Sequence, residues 1–495
     1  MATFDAAAAS RVRDAAAEIL ARYHVPGISI GVVEGDALAF CEGFGLADIE
    51  SGEPMQPERR QRIASITKTM VGLCAMALVD EGKLSLDGRV VELLPEVTFH
   101  GPAEGMTVRH LLSHTSGIGE APTRERLADA ANPDRAAVNT PGDFSTLYPN
   151  GIVVEVEPGA KWAYCNNGYG LLGEIIVRAE DASLQEVMQR RIWGPLGMTS
   201  TDILDQNDER ITTCYHRPPN EDNRFQLERA GVVVKDEPTV DGHNIRGKFT
   251  ADFNQGMRAA GGVQSTVPDM GKYASALLRG GARIVRAETF EAMTASQRGD
   301  DGRMVSWGLS IARTPLRVSG ERPAAWRTLL GHGGAYFGGW NSHLDVLPEA
   351  NIGIVQHLNI MMDEPAPVFR RIVRAVLGIE DAPYAEGSTD PGLLAAAPGM
   401  YELPMPGPLT NFRPQTRIGR VNVERDGDAL VLRSRWGKWK EGVRLTPCDP
   451  DDPGFFAIQL PDADPAYVAF DRTPDGRVTG LRLDELATMH RRADA

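Results

Sequence analysis

Ser65 and Lys68 stand three positions apart, a spacing that could place a nucleophile beside a base. Apolar side chains recur after them at helical intervals, and Glu81-Gly82 supplies a helix stop. We therefore expect Ser65 at or just inside a helix N-terminus, with Lys68 one turn later on the same face. A hydroxyl beside an amine is suited to nucleophilic catalysis, and unpaired N–H groups at a helix start can hold an oxyanion.

This pair alone is weak evidence, because a capping serine followed by a solvated lysine has the same spacing. Ser65 is, however, the only serine in the chain with a lysine at the third following position. Ser29 competes with it, since residues 27–31 match the G-x-S-x-G nucleophile elbow. That motif needs a turn from strand into helix, whereas Ser29 falls in a strand predicted at 28–33 that continues through a hairpin turn into a second strand at 37–42. We interpret Ser29 as a strand residue.

Tyr164 and Asn166 form a second candidate group, at the point where a loop leads into a predicted helix. A phenol near an ammonium is stabilised as phenolate and can take the serine proton, and a neutral, desolvated Lys68 could do the same. Asn166 could orient Lys68 or hold a substrate carbonyl. Residues 148–150 repeat the Tyr-x-Asn spacing, but their proline indicates a turn with no regular element after it, so we favour Tyr164.

A third group is His332, followed by Gly333, Gly334 and Ala335, which is the only H-x-G in the chain and comes after an apolar strand at 329–331. Glycines let a substrate backbone approach a strand edge closely. The N–H of Ala335 could pair with that of Ser65 as an oxyanion hole. Taken alone, the segment would be a tight turn with a solvated histidine.

Two histidines and several hydroxyls also gather in the segment 107–117, which reads as a short helix ending in a polar loop. We interpret these groups as structural, because a polar loop needs internal hydrogen bonds to keep its shape. No acidic or cysteine ligands lie at metal spacing beside them, so we expect no metal site there.

The composition excludes several classes of function. The chain has 495 residues, 42% of them hydrophobic, and a formal net charge of -15, which supports a large core and disfavours nucleic acid or an anionic membrane as a partner. Its five cysteines are scattered without a C-x-x-C, which indicates reduced thiols. The first residues lack the uncharged apolar core of a signal peptide, and no stretch is long and apolar enough to span a bilayer, so we expect a cytoplasmic protein.

The composition and strand pattern along the chain predict a domain at 1–378 and a small domain at 399–495. Between them, residues 379–398 are rich in Ala, Pro, Gly, Asp and Glu and are predicted to be a linker. Two long irregular stretches, 119–156 and 202–256, interrupt the first domain, and long loops of this kind often border a site. The small domain shows short strand-like runs separated by turns, which is typical of an antiparallel barrel or sandwich. Seven strands are predicted there, at 399–403, 419–424, 429–434, 443–447, 455–459, 466–471 and 478–483.

In their order and approximate spacing, the three groups resemble the motifs of the serine β-lactamase and penicillin-binding-protein superfamily. The resemblance is to its class C-like branch, which includes D-aminopeptidases and family VIII carboxylesterases. It covers roughly residues 10–375 and rests on these segments: Ser65-x-x-Lys68, Tyr164-x-Asn166, His332-x-Gly334, 111–117, 195–198 and 260–262.

This resemblance implies an α/β (α+β) two-lobed catalytic domain, with an antiparallel sheet, a helical lobe, and Ser65 between them. The small C-terminal domain resembles, more weakly, the lipocalin-like β-barrel that some D-aminopeptidase relatives carry. The β-lactamases usually have a lysine where this chain has His332. A neutral imidazole binds an anion more weakly than a lysine ammonium does. We therefore expect cleavage of small amides or esters rather than potent β-lactam hydrolysis.

The sequence therefore predicts a serine hydrolase that forms an acyl-enzyme on Ser65, with Lys68 and Tyr164 moving the proton. No metal or organic cofactor is implied, the expected partner is a small amide or ester, and a homo-oligomer is left open. Two alternatives remain: a carboxylesterase or lactonase acting on an apolar ester, and a weakly active β-lactamase-like or non-catalytic sensor relative. Candidate walls of an apolar pocket are the aromatic residues Trp162, Tyr336, Phe337 and Trp340.

Overall fold

The structure is a computed structural model of the whole chain. It describes residues 3–491 except for these internal segments: 120–150, 161, 204–209, 217–238, 241–242, 246–257, 298–306, 319–324, 337–338, 363–364, 380–388, 403–419, 435–438, 449–452, 459–465, 474 and 484–486. Most of the two long irregular stretches and the alternative Tyr-x-Asn at 148–150 therefore lie outside the described residues.

Twelve α-helices occur in the described part of the chain. They are α1 Ala6–Arg22, α2 Thr67–Asp80, α3 Val90–Leu93, α4 Val108–Leu112, α5 Asn166–Glu180, α6 Leu184–Met188, α7 Gly194–Leu196, α8 Arg258–Gly261, α9 Val267–Leu278, α10 Ala287–Thr294, α11 Ala366–Leu377 and α12 Pro391–Ala396. Short 3₁₀ turns occupy Ala64–Ile66 and Pro348–Ala350, and a π-helical turn occupies Gln189–Trp193.

The strands fall into two groups, one before and one after residue 390. The first group is β1 Gly27–Glu34, β2 Ala37–Asp48, β3 Glu53–Pro54, β4 Gln61–Arg62, β5 Phe99–His100, β6 Ile152–Val153, β7 Tyr215–His216, β8 Thr239–Val240, β9 His243–Ile245, β10 Gln264–Ser265, β11 Ala312–Val318, β12 Ala325–Tyr336, β13 Trp340–Leu347, β14 Ile352–Leu358 and β15 Ile360–Met361. The second is β16 Gly399–Glu402, β17 Arg420–Asp426, β18 Ala429–Ser434, β19 Val443–Pro447, β20 Phe455–Ile458, β21 Ala466–Arg472, β22 Val478–Leu483 and β23 Ala487–Arg491.

A seven-stranded sheet in the order β11-β12-β13-β14-β1-β2-β3 forms the centre of the first part, and every neighbouring pair is antiparallel. The predicted hairpin is confirmed as β1 and β2. Strands β1 and β14 are buried along almost their whole length, so both faces of the sheet centre are covered. Ser29 lies buried within β1, as its interpretation as a strand residue predicted.

Two apolar layers cover the two faces of this sheet. On one face, alternate β1 residues such as Ile28 and Ile30 pack with Val12 of α1 and Ile372 of α11. On the other face, a larger core joins the sheet to the helical lobe built from α2, α5 and α9. The alternation follows from the period of two along a strand, which sends successive side chains to opposite faces. The predicted antiparallel sheet and helical lobe are thereby confirmed.

The last part of the chain is a closed antiparallel barrel, β16 to β23, with an apolar interior. Leu393 and Leu394 of α12 pack into that interior, so this helix belongs to the barrel core. The outer surface of the barrel meets the first part of the chain where the Arg374 guanidinium of α11 lies 5.2 Å from the Tyr467 ring centroid. The predicted barrel is confirmed as a fold.

Two predicted features need correction. The segment predicted as a linker at 379–398 contains α12. This helix is stabilised because leucines in the Ala- and Pro-rich stretch pack into the barrel interior. The barrel has an eighth strand, β23, which closes it by pairing with β16. In the first part of the chain, β11 begins only at Ala312, since Ser310 has a φ of +71° and breaks the extended run.

Candidate active site

The 3₁₀ turn Ala64–Ile66 carries Ser65 directly into α2. Ala64 has a φ of +47°, which is uncommon for a residue with a side chain and makes the entry into the helix sharp. Two hydrogen bonds fix the turn from outside: Ile63 N–H donates to the Val263 carbonyl over 3.0 Å, and Val263 N–H donates to Thr67 Oγ1 over 3.1 Å. Ser65 is 9% exposed, so the turn presents a nearly buried hydroxyl at the helix start.

Lys68 lies fully buried one turn further along α2. Its Nζ is 3.1 Å from Ser65 Oγ and donates to the Ala260 carbonyl of α8 over 2.5 Å. The same Nζ lies 4.9 Å from the ring centroid of Tyr164 and 5.3 Å from that of Tyr169. The amine is therefore held between a carbonyl, the candidate nucleophile and two aromatic faces, in a position to exchange a proton with Ser65.

Tyr164 is buried immediately before α5 and belongs to a compact aromatic group. Its ring stacks on the imidazole of His114 with centroids 4.2 Å apart, and its hydroxyl lies 3.5 Å from His332 Nε2. That hydroxyl-to-imidazole distance is at the long end of the hydrogen-bonding range. Asn166, two residues later, is the first residue of α5 and is half-buried.

The two tyrosines that face Lys68 differ in their hydrogen bonding. The Tyr169 hydroxyl donates to the Leu112 carbonyl over 3.1 Å and is hydrogen-bonded to the Ser310 hydroxyl over 2.6 Å. Burial raises the pKa of Tyr169 far above its usual value, so this residue stays a neutral phenol. The Tyr164 hydroxyl instead faces an imidazole, which leaves Tyr164 as the better candidate for proton transfer.

Strand β12 forms the third side of the site. Its pairing with β11 ends at Gly331, whereas its pairing with β13 continues to Tyr336. His332 and the residues after it thus lie on the end of β12 that extends beyond its last pair with β11. Ala335 is exposed on this strand end, as an edge that receives a substrate backbone would require.

Gly334 brings this strand end against the segment before Ser65. A Cβ at position 334 would fall closer than 3.0 Å to both the Ile63 carbonyl oxygen and Ser342 Oγ. Those two atoms are themselves joined, because Ser342 Oγ of β13 donates to the Ile63 carbonyl over 2.9 Å. The absence of a side chain at 334 is therefore what allows β12 and β13 to pack against the Ser65 turn.

The structure brings together the predicted residues Ser65, Lys68, Tyr164 and His332. It also places Trp307, which the sequence did not indicate, against three of the rings at this site. The Trp307 ring centroid lies 5.2 Å from that of His332, 6.0 Å from that of Tyr164 and 5.1 Å from that of His114. Trp307 comes directly after the segment 298–306 and shows no periodicity or motif that could have indicated this position.

The aromatic residues named as candidate walls of an apolar pocket pack against other side chains where the structure describes them. Trp162, Tyr336 and Trp340 are all buried, and Tyr336 and Trp340 pack with Ala64. Phe337 lies outside the described residues. Over the described ranges, no group of three or more His, Cys, Asp or Glu residues could hold a metal ion, and no helix there is long and apolar enough to cross a membrane.

A model of the Beta-lactamase family matches residues 12–378. The chain belongs to the beta-lactamase family. Esterase EstB from Burkholderia gladioli is 29% identical over 250 residues, which make up 48% of this chain and 61% of EstB. The aligned region thus spans less than two thirds of that relative.

Two solved structures share the fold. The octameric penicillin-binding protein homologue from Pyrococcus abyssi superposes with a TM-score of 0.59 at 24% identity and covers 97% of this chain and 99% of its own. The D-amino acid amidase from Ochrobactrum anthropi SV3, complexed with L-phenylalanine, gives a TM-score of 0.60 at 23% identity and covers 75% and 98% of the two chains. At these identities the two structures show that this beta-lactamase family member shares their fold.

Proposed function

We propose that the protein is a serine hydrolase that cleaves a small amide or ester through an acyl-enzyme on Ser65. The observation that carries this proposal is the 3.1 Å approach of the buried Lys68 Nζ to Ser65 Oγ at a helix start. A nucleophile needs a base within hydrogen-bond reach, and this pair meets that condition before any substrate binds.

In the proposed reaction, Ser65 Oγ attacks the substrate carbonyl carbon and passes its proton to Lys68 or Tyr164. Lys68 already donates one N–H to the Ala260 carbonyl, and a neutral amine 3.1 Å from Ser65 Oγ has a lone pair that can accept the serine proton. The N–H groups of Ser65 and Ala335 hold the oxyanion in this scheme. The proton then goes to the departing amine or alcohol, and a water activated by the same groups releases the acid.

His332, Gly334 and Asn166 have supporting roles in this proposal. His332 borders the pocket beside the Tyr164 hydroxyl, and Gly334 lets the strand end approach the Ser65 turn. Asn166 positions Lys68 or the substrate from the first turn of α5. Because His332 stands where β-lactamases usually carry a lysine, small amides and esters are favoured over β-lactams as substrates.

A fluorophosphonate ester tests the nucleophile. We expect a single adduct on Ser65 by intact mass and peptide mapping, no adduct in Ser65→Ala, and full labelling in the matched control Ser29→Ala, whose serine lies within β1. Turnover should be lost in Ser65→Ala and Lys68→Ala, and only a small residual kcat should remain in Tyr164→Phe. Full activity in any of these three, or labelling that persists in Ser65→Ala, contradicts the assigned roles.

A parallel panel of substrates tests the leaving group. It compares D-amino-acid anilides with a free amine, the same anilides with the amine acylated, short nitrophenyl esters, lactones and a chromogenic cephalosporin. Preference for free-amine anilides supports an aminopeptidase, and preference for esters or lactones supports an esterase. Fast cephalosporin turnover would contradict the inference drawn from His332.

A further inference from the structure

His114 makes three separate contacts with the short segment that carries Tyr164. Its carbonyl accepts the Ala163 N–H over 2.7 Å, and its Nδ1 accepts the Cys165 N–H over 3.1 Å. Between these two hydrogen bonds, its ring stacks on the Tyr164 ring with an interplanar angle of 25°. One residue thus holds the backbone on both sides of Tyr164 as well as its side chain.

The backbone of His114 is strained in a way that this arrangement requires. Its φ is +59°, a left-handed conformation that costs free energy for a residue with a side chain. In this conformation the carbonyl and the ring both face the Tyr164 segment. The residue is 1% exposed, and neighbouring rings fix it, with Trp307 5.1 Å and Tyr169 5.0 Å away between centroids.

The hydrogen bond from Cys165 also defines the chemical form of the imidazole. An Nδ1 atom that accepts an N–H carries no proton itself, so the His114 ring is neutral with its proton on Nε2. This form makes His114 a fixed acceptor and a flat platform. The proposed reaction assigns its proton transfers to Lys68 and Tyr164, so His114 is left with a positioning role.

We propose that His114 is a positioning residue that sets where the Tyr164 hydroxyl lies relative to Lys68 and His332. The inference rests on the proposed function, because it assigns to Tyr164 a role in proton transfer. A phenol held at its ring face and at both flanking amides has little freedom to shift. A displacement of about 1 Å is enough to cost on the order of 100-fold in rate.

Two substitutions separate the acceptor at Nδ1 from the rest of the side chain. Asn places an oxygen near the position of Nδ1 and tolerates left-handed φ, whereas Gln carries its acceptor one bond further out. We expect His114→Gln to lower kcat about 10- to 100-fold with KM changed less than about threefold, as for misplacement of a catalytic group. His114→Asn should recover part of this loss, because it restores the acceptor but not the ring that stacks on Tyr164.

A double-mutant cycle with Tyr164→Phe tests whether His114 acts through Tyr164. We expect His114→Gln to cost nothing further in residual kcat once the Tyr164 hydroxyl is gone. The matched control is His110→Gln, a histidine in the same segment whose Nδ1 accepts the Thr107 N–H over 3.2 Å; its kcat should equal that of the wild type. Thermal unfolding of each variant monitors folding separately.

Each outcome decides between the possibilities. A wild-type kcat in His114→Gln, no recovery in His114→Asn, or a full additional loss in the Tyr164→Phe background would each overturn the inference. Failure of the proposed function looks different, since Ser65→Ala would then retain turnover whatever stands at position 114.

Discussion

A methyl group added at Gly334 should move the Ser65 turn while every side chain of the candidate site stays chemically unchanged. In Gly334→Ala, the new Cβ would meet the Ile63 carbonyl oxygen and Ser342 Oγ at less than 3.0 Å, a distance that Cβ contacts essentially never show. The Ile63 carbonyl oxygen is a backbone atom and cannot rotate away. The Ser342 hydroxyl is held in place because it donates to that carbonyl over 2.9 Å. Strand β12 and the Ser65 turn must therefore move apart.

The expected magnitudes follow from this overlap. Restoring ordinary contact needs a separation of roughly 1 Å between β12 and the turn, and misplacement on that scale costs on the order of 100-fold in rate. Forcing an extra methyl into a packed interior usually costs about 1–3 kcal/mol of stability. We therefore expect Gly334→Ala to lower kcat about 100-fold and to lower the free energy of unfolding by about 1–3 kcal/mol.

Gly333→Ala is the matched control, one residue earlier on the same strand. Its Cβ would meet only the His343 ring, at 3.3 Å from Cδ2 and 3.5 Å from Nε2, and position 333 is exposed. Gly-to-Ala changes without strain stabilise by about 0.4–1 kcal/mol, so the two neighbouring variants should change stability in opposite directions. Steady-state kinetics and urea unfolding measure both effects. Equal kcat in the two variants would refute the steric reasoning.

Two further predictions concern stability. Burial lowers the pKa of His357 to about 3, so only the unfolded chain gains a proton there as the pH falls below 6.5; this should remove about 2 kcal/mol of stability by pH 5. Urea unfolding from pH 7.5 to 5 should show a shallower loss in His357→Leu, and an unchanged slope would contradict the assignment. Hydrogen bonds led by that from Arg191 lower the pKa of Glu180 to about 2, so its stabilising effect is complete above pH 4.5 and is lost as the pH falls toward 2. Glu180→Gln should lower the free energy of unfolding by about 1–3 kcal/mol at pH 7 with kcat unchanged, and an unchanged stability would show that the ion pairs contribute nothing net.

The sequence predicted those parts of the site that lie close together along the chain. Ser65 and Lys68 share one helical turn, so their spacing alone brings Oγ and Nζ together. The β1–β2 hairpin follows equally from local alternation and a turn. In each case the deciding interactions join residues a few positions apart, which is the range that periodicity and turn chemistry describe.

Features that depend on distant partners were not predictable in the same way. The eighth barrel strand, β23, is set by its pairing with β16, and no local pattern distinguished it. Leu309 and Ile311 alternate as in a strand, but both belong to the core around α2, with Ser310 in a left-handed conformation between them. Trp307 and His114 reach Tyr164 only through the tertiary fold, which local sequence patterns do not describe.

Ile63 shows how the two kinds of information combine at the site. No motif includes this residue, yet its N–H is bound by Val263 and its carbonyl by Ser342, while Gly334 packs against the same carbonyl. A single peptide segment before Ser65 thus takes its position from the strand β13, the strand β12 and the segment after α8. Because α8 also supplies the carbonyl that binds Lys68, a shift at any of these contacts should change the distance between Ser65 Oγ and Lys68 Nζ. The motifs identify the side chains of the candidate site, but their geometry depends on backbone contacts, and one of these requires that position 334 carry no side chain.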